Sequence, residues 1–411
     1  MPRQLREFRS LLDPRVAWAV TSAGMALVLV ADGSLWWAAV RVTAVGVLTA
    51  AGATASGRAG RAAEIVLGTV AAGTGGTIAF AYLGTAGLSV KAAGGLLSFV
   101  GGLALLLHGS YAALRATRRW HRLLAIPIVV VAGYGLVVPL CFAVFATNVP
   151  RPHVGVETPR DRGLHFVDAS FRTRDGVLLS GWYIPATNRA AVVLLHGASS
   201  TRSAVLDQAV VLSRAGFGVL LYDARGHGRS AGRAMEFGWY GDLDVSAAVG
   251  YLERRPDVDP ERIGAVGMSM GGEQAIGAMA ADNRLKVVVG EGATNRTFAD
   301  KHWLADEYGL RGRLQLGVEW LTYGFADLLT DARPPTALDD AVRAAAPRPV
   351  LLIAAGDLAE EQKADEAIRA ASPDNVELWV VPDAKHTGGL HTAPVEWTAR
   401  VTEFLARALL K

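Results

Sequence analysis

Five apolar runs fill most of the chain before Asn148, at 16–31, 35–56, 65–90, 92–114 and 123–149. The last three contain no Asp, Glu, Lys or Arg, and each exceeds the roughly 20 residues a helix needs to cross the hydrocarbon of a bilayer. Charge-free runs of this length are rare in soluble cores. The sequence therefore predicts a transmembrane bundle of about five spans over residues 1–149 rather than a buried soluble helical domain. The first run is short, and a cleaved signal peptide would account for it alone, leaving four others. The second contains Arg41, close to Trp36 and Trp37, from where a long side chain can reach the headgroups. Stretches such as GTVAAGTGGTIAF supply the small residues that let helices approach closely in lipid.

Arginine placement gives the bundle a direction. Arg3, Arg6, Arg9 and Arg15 precede the first run, Arg58 and Arg61 separate the second from the third, and Arg115, Arg118, Arg119 and Arg122 precede the fifth. The connections between them, DGS and GTAG, are nearly charge-free, with Lys91 immediately before the fourth run. This alternation fits a cytoplasmic N-terminus, and five crossings then place the rest of the chain outside the cytoplasm. Arg41 is the one charged residue inside a run, and His108 lies near a helix end. Ion and proton paths normally need more intramembrane ionisable groups, so anchoring is expected and transport is not.

After residue 150 the composition becomes that of an ordinary soluble domain, although the whole chain is 51% hydrophobic and only 19% charged. The net charge of +3 carries no basic stripe on the soluble part, which argues against a nucleic-acid partner. Cys141 is the only cysteine, so no internal disulfide and no Cys/His zinc site is expected. Residues 150–163, rich in proline and charge and without periodicity, read as a linker to a domain at 164–411.

That domain alternates strands with helices. LHFVDASFRTRDGVLLSGWYIPA reads as two strands joined at Asp175-Gly176, a strong hairpin signal. AAVVLLHG, FGVLLYD, RIGAVGMS, KVVVGEG, PVLLIAAG and VELWVVP are short continuous apolar runs, the pattern of strands buried on both faces. Helical stretches at about 203–215, 242–254, 270–281, 360–371 and 394–410 separate them. The expected fold is α/β with a mainly parallel sheet flanked by helices and an antiparallel edge. The rhythm breaks at about 292–349, an insertion expected to form a helical cap over the carboxyl ends of the strands.

The chemistry is carried by GMSMG, Gly267 to Gly271, which matches the nucleophile-elbow pattern G-x-S-x-G between a strand and a helix. A tight turn there needs glycine on either side of the serine, and the following helix N-terminus offers N–H groups to a developing oxyanion. Ser269 is thus the expected nucleophile. In this arrangement an acid and then a histidine follow in the chain. His302, His386 and His391 remain; His386, in the loop after the last strand, is preferred over His391, and His302 falls in the expected cap. The acid should follow PVLLIAAG, where GDLAEE offers Asp357, Glu360 and Glu361. Glu360 is preferred, then Asp357, since either carboxylate type can hold an imidazole in its tautomer. The backbone N–H groups of Met270 and Ala198 would form the oxyanion hole, with Ser199 and Ser200 as loop caps.

Taken in order, DGVLLSGWYIPA, VVLLHGASS, LLYDARGHGRS, GAVGMSMGG and VVPDAKHTGG resemble the α/β-hydrolase superfamily over about 164–411, nearest its esterase, acyl-hydrolase and prolyl-oligopeptidase-like branches. The resemblance implies a serine nucleophile at Ser269, a base at His386, an oxyanion hole at Met270 and Ala198, and structural roles for Asp223, Arg225 and His227. The strand end AAGDLAEE departs from the aspartate that relatives commonly carry there. The expected activity is hydrolysis of an ester, thioester or peptide by a membrane-anchored serine hydrolase acting on a small-molecule or peptide acyl substrate, with no cofactor and no metal. An acyltransferase using the same triad, or a catalytically silent membrane-tethered binding domain, are the alternatives.

Overall fold

A computed structural model describes residues 13–30, 35–85, 87–116, 119–148 and 150–410. The chain divides into two compact units, Met1–Pro150 with Trp320–Leu329, and Arg151–Glu319 with Thr330–Lys411.

The apolar runs form helices α1 (Pro14–Val30), α2 (Leu35–Thr54), α3 (Gly57–Thr85), α4 (Val90–Ala116) and α5 (Arg119–Asn148). Among the described residues, α3 and α4 are long and apolar enough to cross a membrane by length and composition. They pack through facing glycines. A Cβ on Gly75 would sit 2.8 Å from the Gly95 oxygen, and one on Gly102 would sit 2.8 Å from the Gly68 oxygen. Close backbone approach of this kind is what small-residue stripes permit in lipid. Phe80, Val100 and Leu107 face outward, while His108 and Glu64 meet at 2.8 Å. The arginines at 3, 6 and 9, the 32–34 connection, Arg118 and the side chains of Trp36, Trp37, Arg41, Arg119 and Arg122 lie outside the described residues.

In the second unit, eight strands form one sheet: β1 (Val167–Arg172), β2 (Leu178–Ile184), β3 (Ala191–Leu195), β4 (Gly218–Tyr222), β5 (Ile263–Met268), β6 (Leu285–Glu291), β7 (Val350–Ala355) and β8 (Val376–Val381). Their order is β1-β2-β4-β3-β5-β6-β7-β8. The edge hairpin is antiparallel, β2 pairs antiparallel with β4, and every later pairing is parallel. Gly176, with φ 85°, closes the hairpin where Asp-Gly predicts a turn.

The period-2 alternation of each strand sends side chains to two cores. Val193 and Leu195 of β3, with Leu220 of β4 and Leu352 of β7, enter one. Val192 and Leu194, with Leu221 and Ile353, enter the other. Helices α7 (Gly241–Leu252) and α8 (Met270–Ala281) cover the first face, and α6 (Leu206–Arg214) and α12 (Pro394–Leu409) cover the second. The result is the three-layer α/β architecture expected for continuously apolar strands.

Two boundaries differ from the sequence reading. Of residues 150–163, expected as a linker, all but Pro150 belong to the second unit. Gly228 N–H donates to the Pro152 oxygen at 3.0 Å, Pro159–Arg162 forms a capped turn, and Val154 packs on the second core. The expected cap at 292–349 divides in two. Its later part is helix α10 (Leu338–Ala345), whose Leu338, Ala341, Val342 and Ala345 lie in the first core, so this segment flanks the sheet. Its earlier part is the long helix α9 (Trp303–Leu329), bent at Gly309. Trp303 and Leu304 pack against Ala364 of helix α11 (Ala359–Ala371).

The loop after β4 is held by charge. Arg225 donates to Asp175 at 2.6 Å and to Asp244 at 2.7 Å, with its guanidinium 4.1 Å from the Tyr240 ring centroid. Burial pushes the Asp244 carboxyl up to about 6 even beside this cation. Removing one partner of a buried pair strands the other. Arg225→Met is therefore expected to lower stability by about 3 kcal/mol in urea titrations of the detergent-solubilised chain. A loss below about 1 kcal/mol would show that the pair behaves as a surface contact.

Candidate functional site

Strand β5 is buried at every position, and Ser269 follows it directly with φ 54° and ψ −125° before α8 begins. For a residue with a side chain this conformation costs of order 1–3 kcal/mol and persists only when its surroundings dictate it. Here they do. Ser269 N–H donates to the Glu291 oxygen at 2.7 Å, and Gly272 N–H returns to the Ser269 oxygen at 2.8 Å. A Cβ on Gly267 would collide with the carbonyl of Gly271, so the strand can turn into the helix this sharply only with glycine there.

His386 reaches Ser269 from the loop after β8. Its Nε2 lies 2.9 Å from Ser269 Oγ and its Nδ1 lies 2.6 Å from Glu361 Oε2. Glu361 lies in the first turn of α11 and is itself anchored, since its Oε1 accepts the Ala355 N–H at 2.7 Å. With a carboxylate at Nδ1, that nitrogen carries the proton and Nε2 is left to accept from the serine hydroxyl. The hydrogen bond to Glu361 is the main cause that raises the imidazole above its ordinary value of 6.5, against desolvation.

The loop carrying His386 has its own fastening. Glu291, buried at the end of β6, accepts the Gly389 N–H at 2.7 Å and the Trp397 indole N–H at 2.8 Å. Burial raises this carboxyl. Next along, Gly292 has φ 70°, and a Cβ there would stand 2.8 Å from His386 Cε1, so glycine leaves the room the imidazole occupies. Two more carboxyls lie in the same interior. Burial pushes Glu273 up to about 7, and it accepts the Asn295 N–H at 3.0 Å. Asp365, one turn after Glu361, is fully buried and raised by desolvation.

On the other side of Ser269, His196 shapes the loop that contains Ala198. Its Nε2 accepts the Ala224 N–H at 2.9 Å, so Nδ1–H donates to the Gly197 oxygen at 2.8 Å. Burial lowers this imidazole to about 3, which keeps it neutral. Asp223 is buried and accepts the Arg202 and Arg229 backbone N–H groups, and His227 is buried beside the Arg225 carbonyl. A cavity of about 370 Å³ opens between Ala198, Val205, Gln208, Met268, Ser269 and His386. Among the described contacts, the N–H groups of Ala198 and Met270 have no acceptor. Among the described residues, no three His, Cys, Asp or Glu side chains converge as a metal site requires.

The structure thus brings Ser269, His386, Met270 and Ala198 together as the sequence orders them. It does not bring Glu360 or Asp357 to the imidazole. Both are exposed, and the carboxylate that meets His386 is Glu361. The reason is helical phase. Glu361, Ala364, Asp365 and Ile368 form the buried face of α11, and Glu360 is turned about 100° away from it. Continuing the apolar stripe of Ala364 and Ile368 back by three residues would have found it. Glu291 and Glu273 carried no such signal, because their carboxylates lie inside runs that read as strand and helix. His391 falls in a single turn, Gly389–Thr392, and His302 is exposed on a surface turn beside Asp339.

A family model described as serine aminopeptidase, S33, matches residues 186–295. Uncharacterized protein Rv2307c of Mycobacterium tuberculosis is 37% identical over 136 residues, which is 32% of this chain and 46% of that protein. Thiohydrolase aneE of Aspergillus aculeatus is 34% identical over 133 residues, 30% of this chain and 40% of that protein. The chain thus spans less than half the length of these curated relatives. The solved structure of Pyrococcus furiosus esterase Pf2001 is 30% identical, with a TM-score of 0.50, and covers 64% of this chain and 98% of its own. The chain belongs to the α/β-hydrolase superfamily. Its sheet order, its elbow and its loop after β8 are those of an α/β hydrolase.

In this hydrolase, Glu361→Gln is expected to reduce turnover of an activated ester by about 10³-fold or more. Glu360→Gln and Asp357→Asn should each stay within about threefold of the native rate, because neither touches the imidazole. Initial-rate assays of the three variants decide this, and a larger loss from Glu360→Gln than from Glu361→Gln would reverse the assignment.

Proposed function

We propose that this α/β hydrolase is a serine hydrolase that cleaves carboxylic esters or thioesters through an acyl-enzyme on Ser269. The observation that carries this reading is the single imidazole hydrogen-bonded at one nitrogen to Ser269 Oγ and at the other to a buried carboxylate. Neutral His386 takes the hydroxyl proton as Oγ attacks the carbonyl carbon, and the C–O bond forms. The oxyanion develops toward the N–H groups of Ala198 and Met270. As the intermediate collapses, imidazolium returns its proton to the departing oxygen or sulfur, while Glu361 stabilises the transient cation. Water repeats the sequence from the acyl side and frees the acid.

The similarity to an esterase and to a thiohydrolase supports ester and thioester substrates, while the aminopeptidase family model supports a peptide as the second substrate class for the same chemistry. In this reading the N-terminal helices anchor the enzyme in a membrane with the hydrolase unit outside the cytoplasm, a direction that the arginine alternation supports.

Two measurements test the reading. Ser269→Ala should abolish labelling by a fluorophosphonate probe while far-ultraviolet circular dichroism stays native, and undiminished labelling of that variant would reject Ser269. The pH dependence follows from His386. Its neutral form is the active one and its pKa is raised, so activity should fall as pH drops through a midpoint above 6.5. Glu361→Gln removes the largest cause of that rise, and the acid limb of its residual kcat/KM should move to lower pH. A limb that stays in place would show that another group controls it.

A further inference from the structure

Leu310, Leu314, Gly317, Leu321, Gly324 and Leu328 follow one another along α9 in steps of four and three, so they share one face of the helix. That face is uncovered. Leu310 is 74% exposed, Leu314 67% and Leu328 78%, with Trp320 at its edge 63% exposed. A Cβ added at Gly317 or Gly324 would meet nothing within 4 Å. The opposite side is packed, with Gly312, Thr322, Tyr323 and Ala326 buried. At the rise of an α-helix the strip from Leu310 to Leu328 runs about 27 Å. A soluble surface seldom carries an apolar strip of this length without a partner for it.

The partner follows from location and charge. Trp320–Leu329 belongs to the same compact unit as α1 to α5. In that unit Leu329 packs with Tyr82 and Leu140 around Ile78 and Val144, close to the carboxyl ends of α3 and α5. As third and fifth spans, these two helices end on one side of the bilayer. Arg311, Arg313 and Asp327 are exposed beside the strip, and Glu319 lies 3.9 Å from Lys301. Such charges keep α9 from crossing the hydrocarbon. They suit a helix lying flat in the headgroup layer, where long arginine side chains reach phosphate and an indole sits at the boundary.

We propose that α9 is an interfacial helix, with Leu310, Leu314, Leu321 and Leu328 set into the acyl boundary of the bilayer as a lipid contact additional to the spans. This rests on the membrane-anchored reading above, because only helices that cross put the ends of α3 and α5 at a lipid surface.

The test uses the full chain with Cys141→Ala, which removes its one native thiol. A single nitroxide is attached through Leu314→Cys or Leu328→Cys, and the protein is reconstituted into vesicles of phosphatidylcholine and phosphatidylglycerol. Val100→Cys, facing outward on α4, reports the hydrocarbon, and Asp374→Cys, in the exposed turn before β8, reports water. All four side chains are exposed, so the labels enter without repacking a core. Power-saturation electron paramagnetic resonance gives each label's collisions with oxygen, which concentrates in lipid, and with a soluble nickel chelate, which stays in water. Labels at 314 and 328 should meet nickel at least about threefold less often than the label at 374, and oxygen more often. If the label at 100 is shielded from nickel while those at 314 and 328 match 374, the interfacial inference alone is overturned. Shielding of 314 and 328 from both reagents, with spin–spin broadening that grows with protein per vesicle, would mean that a second copy covers the strip, and overturns it too. A label at 100 as open to nickel as that at 374 overturns the membrane-anchored reading and this inference with it.

Discussion

Ser269 holds its side chain in a backbone conformation that an unconstrained residue avoids, and the rest of the site is arranged around that fact. Strand β5 is fixed between β3 and β6 with every residue buried, and α8 starts immediately after it. A chain that must reverse within one residue, between two rigid elements, has one place to put the hydroxyl. The same turn leaves the N–H of Met270 at the mouth of a helix, where the dipole favours negative charge. Strain and electrostatics are thus two consequences of one corner.

The imidazole comes from far along the chain, and its precision depends on carboxylates with different jobs. Glu361 bonds to it and sets its tautomer. Glu291 never touches it, but ties Gly389 and Trp397 and so fixes both ends of the stretch that follows. Glu273 and Asp365 are buried behind this pair, and desolvation favours their neutral forms. An interior with this many ionised carboxylates would be prohibitive. An interior with some of them protonated is not.

The sheet was legible because parallel strands buried on both faces must be continuously apolar, and each such run from AAVVLLHG to VELWVVP forms one. The elbow and His386 were legible because local chemistry, glycines about a serine and a histidine just after the last strand, leaves few alternatives. The acid was not, since GDLAEE places adjacent carboxylates within a few residues and only helical phase separates Glu361 from Glu360. The linker reading failed for a related reason. Proline and charge without periodicity describe irregular backbone, but irregular backbone can be pinned, as Pro152 and Val154 are. The supposed cap failed over its second half because α10 is short, and its strong apolar stripe was outweighed by the prolines on either side.

The central claim is that Ser269 carries the acyl group during turnover. Rapid acid quench of the enzyme with a p-nitrophenyl ester, followed by peptide mapping by mass spectrometry, tests it most directly. The account predicts a burst of nitrophenol matched by an acyl adduct on the peptide containing Ser269, and loss of both in Ser269→Ala. An adduct on another residue, with the burst intact in Ser269→Ala, would contradict it.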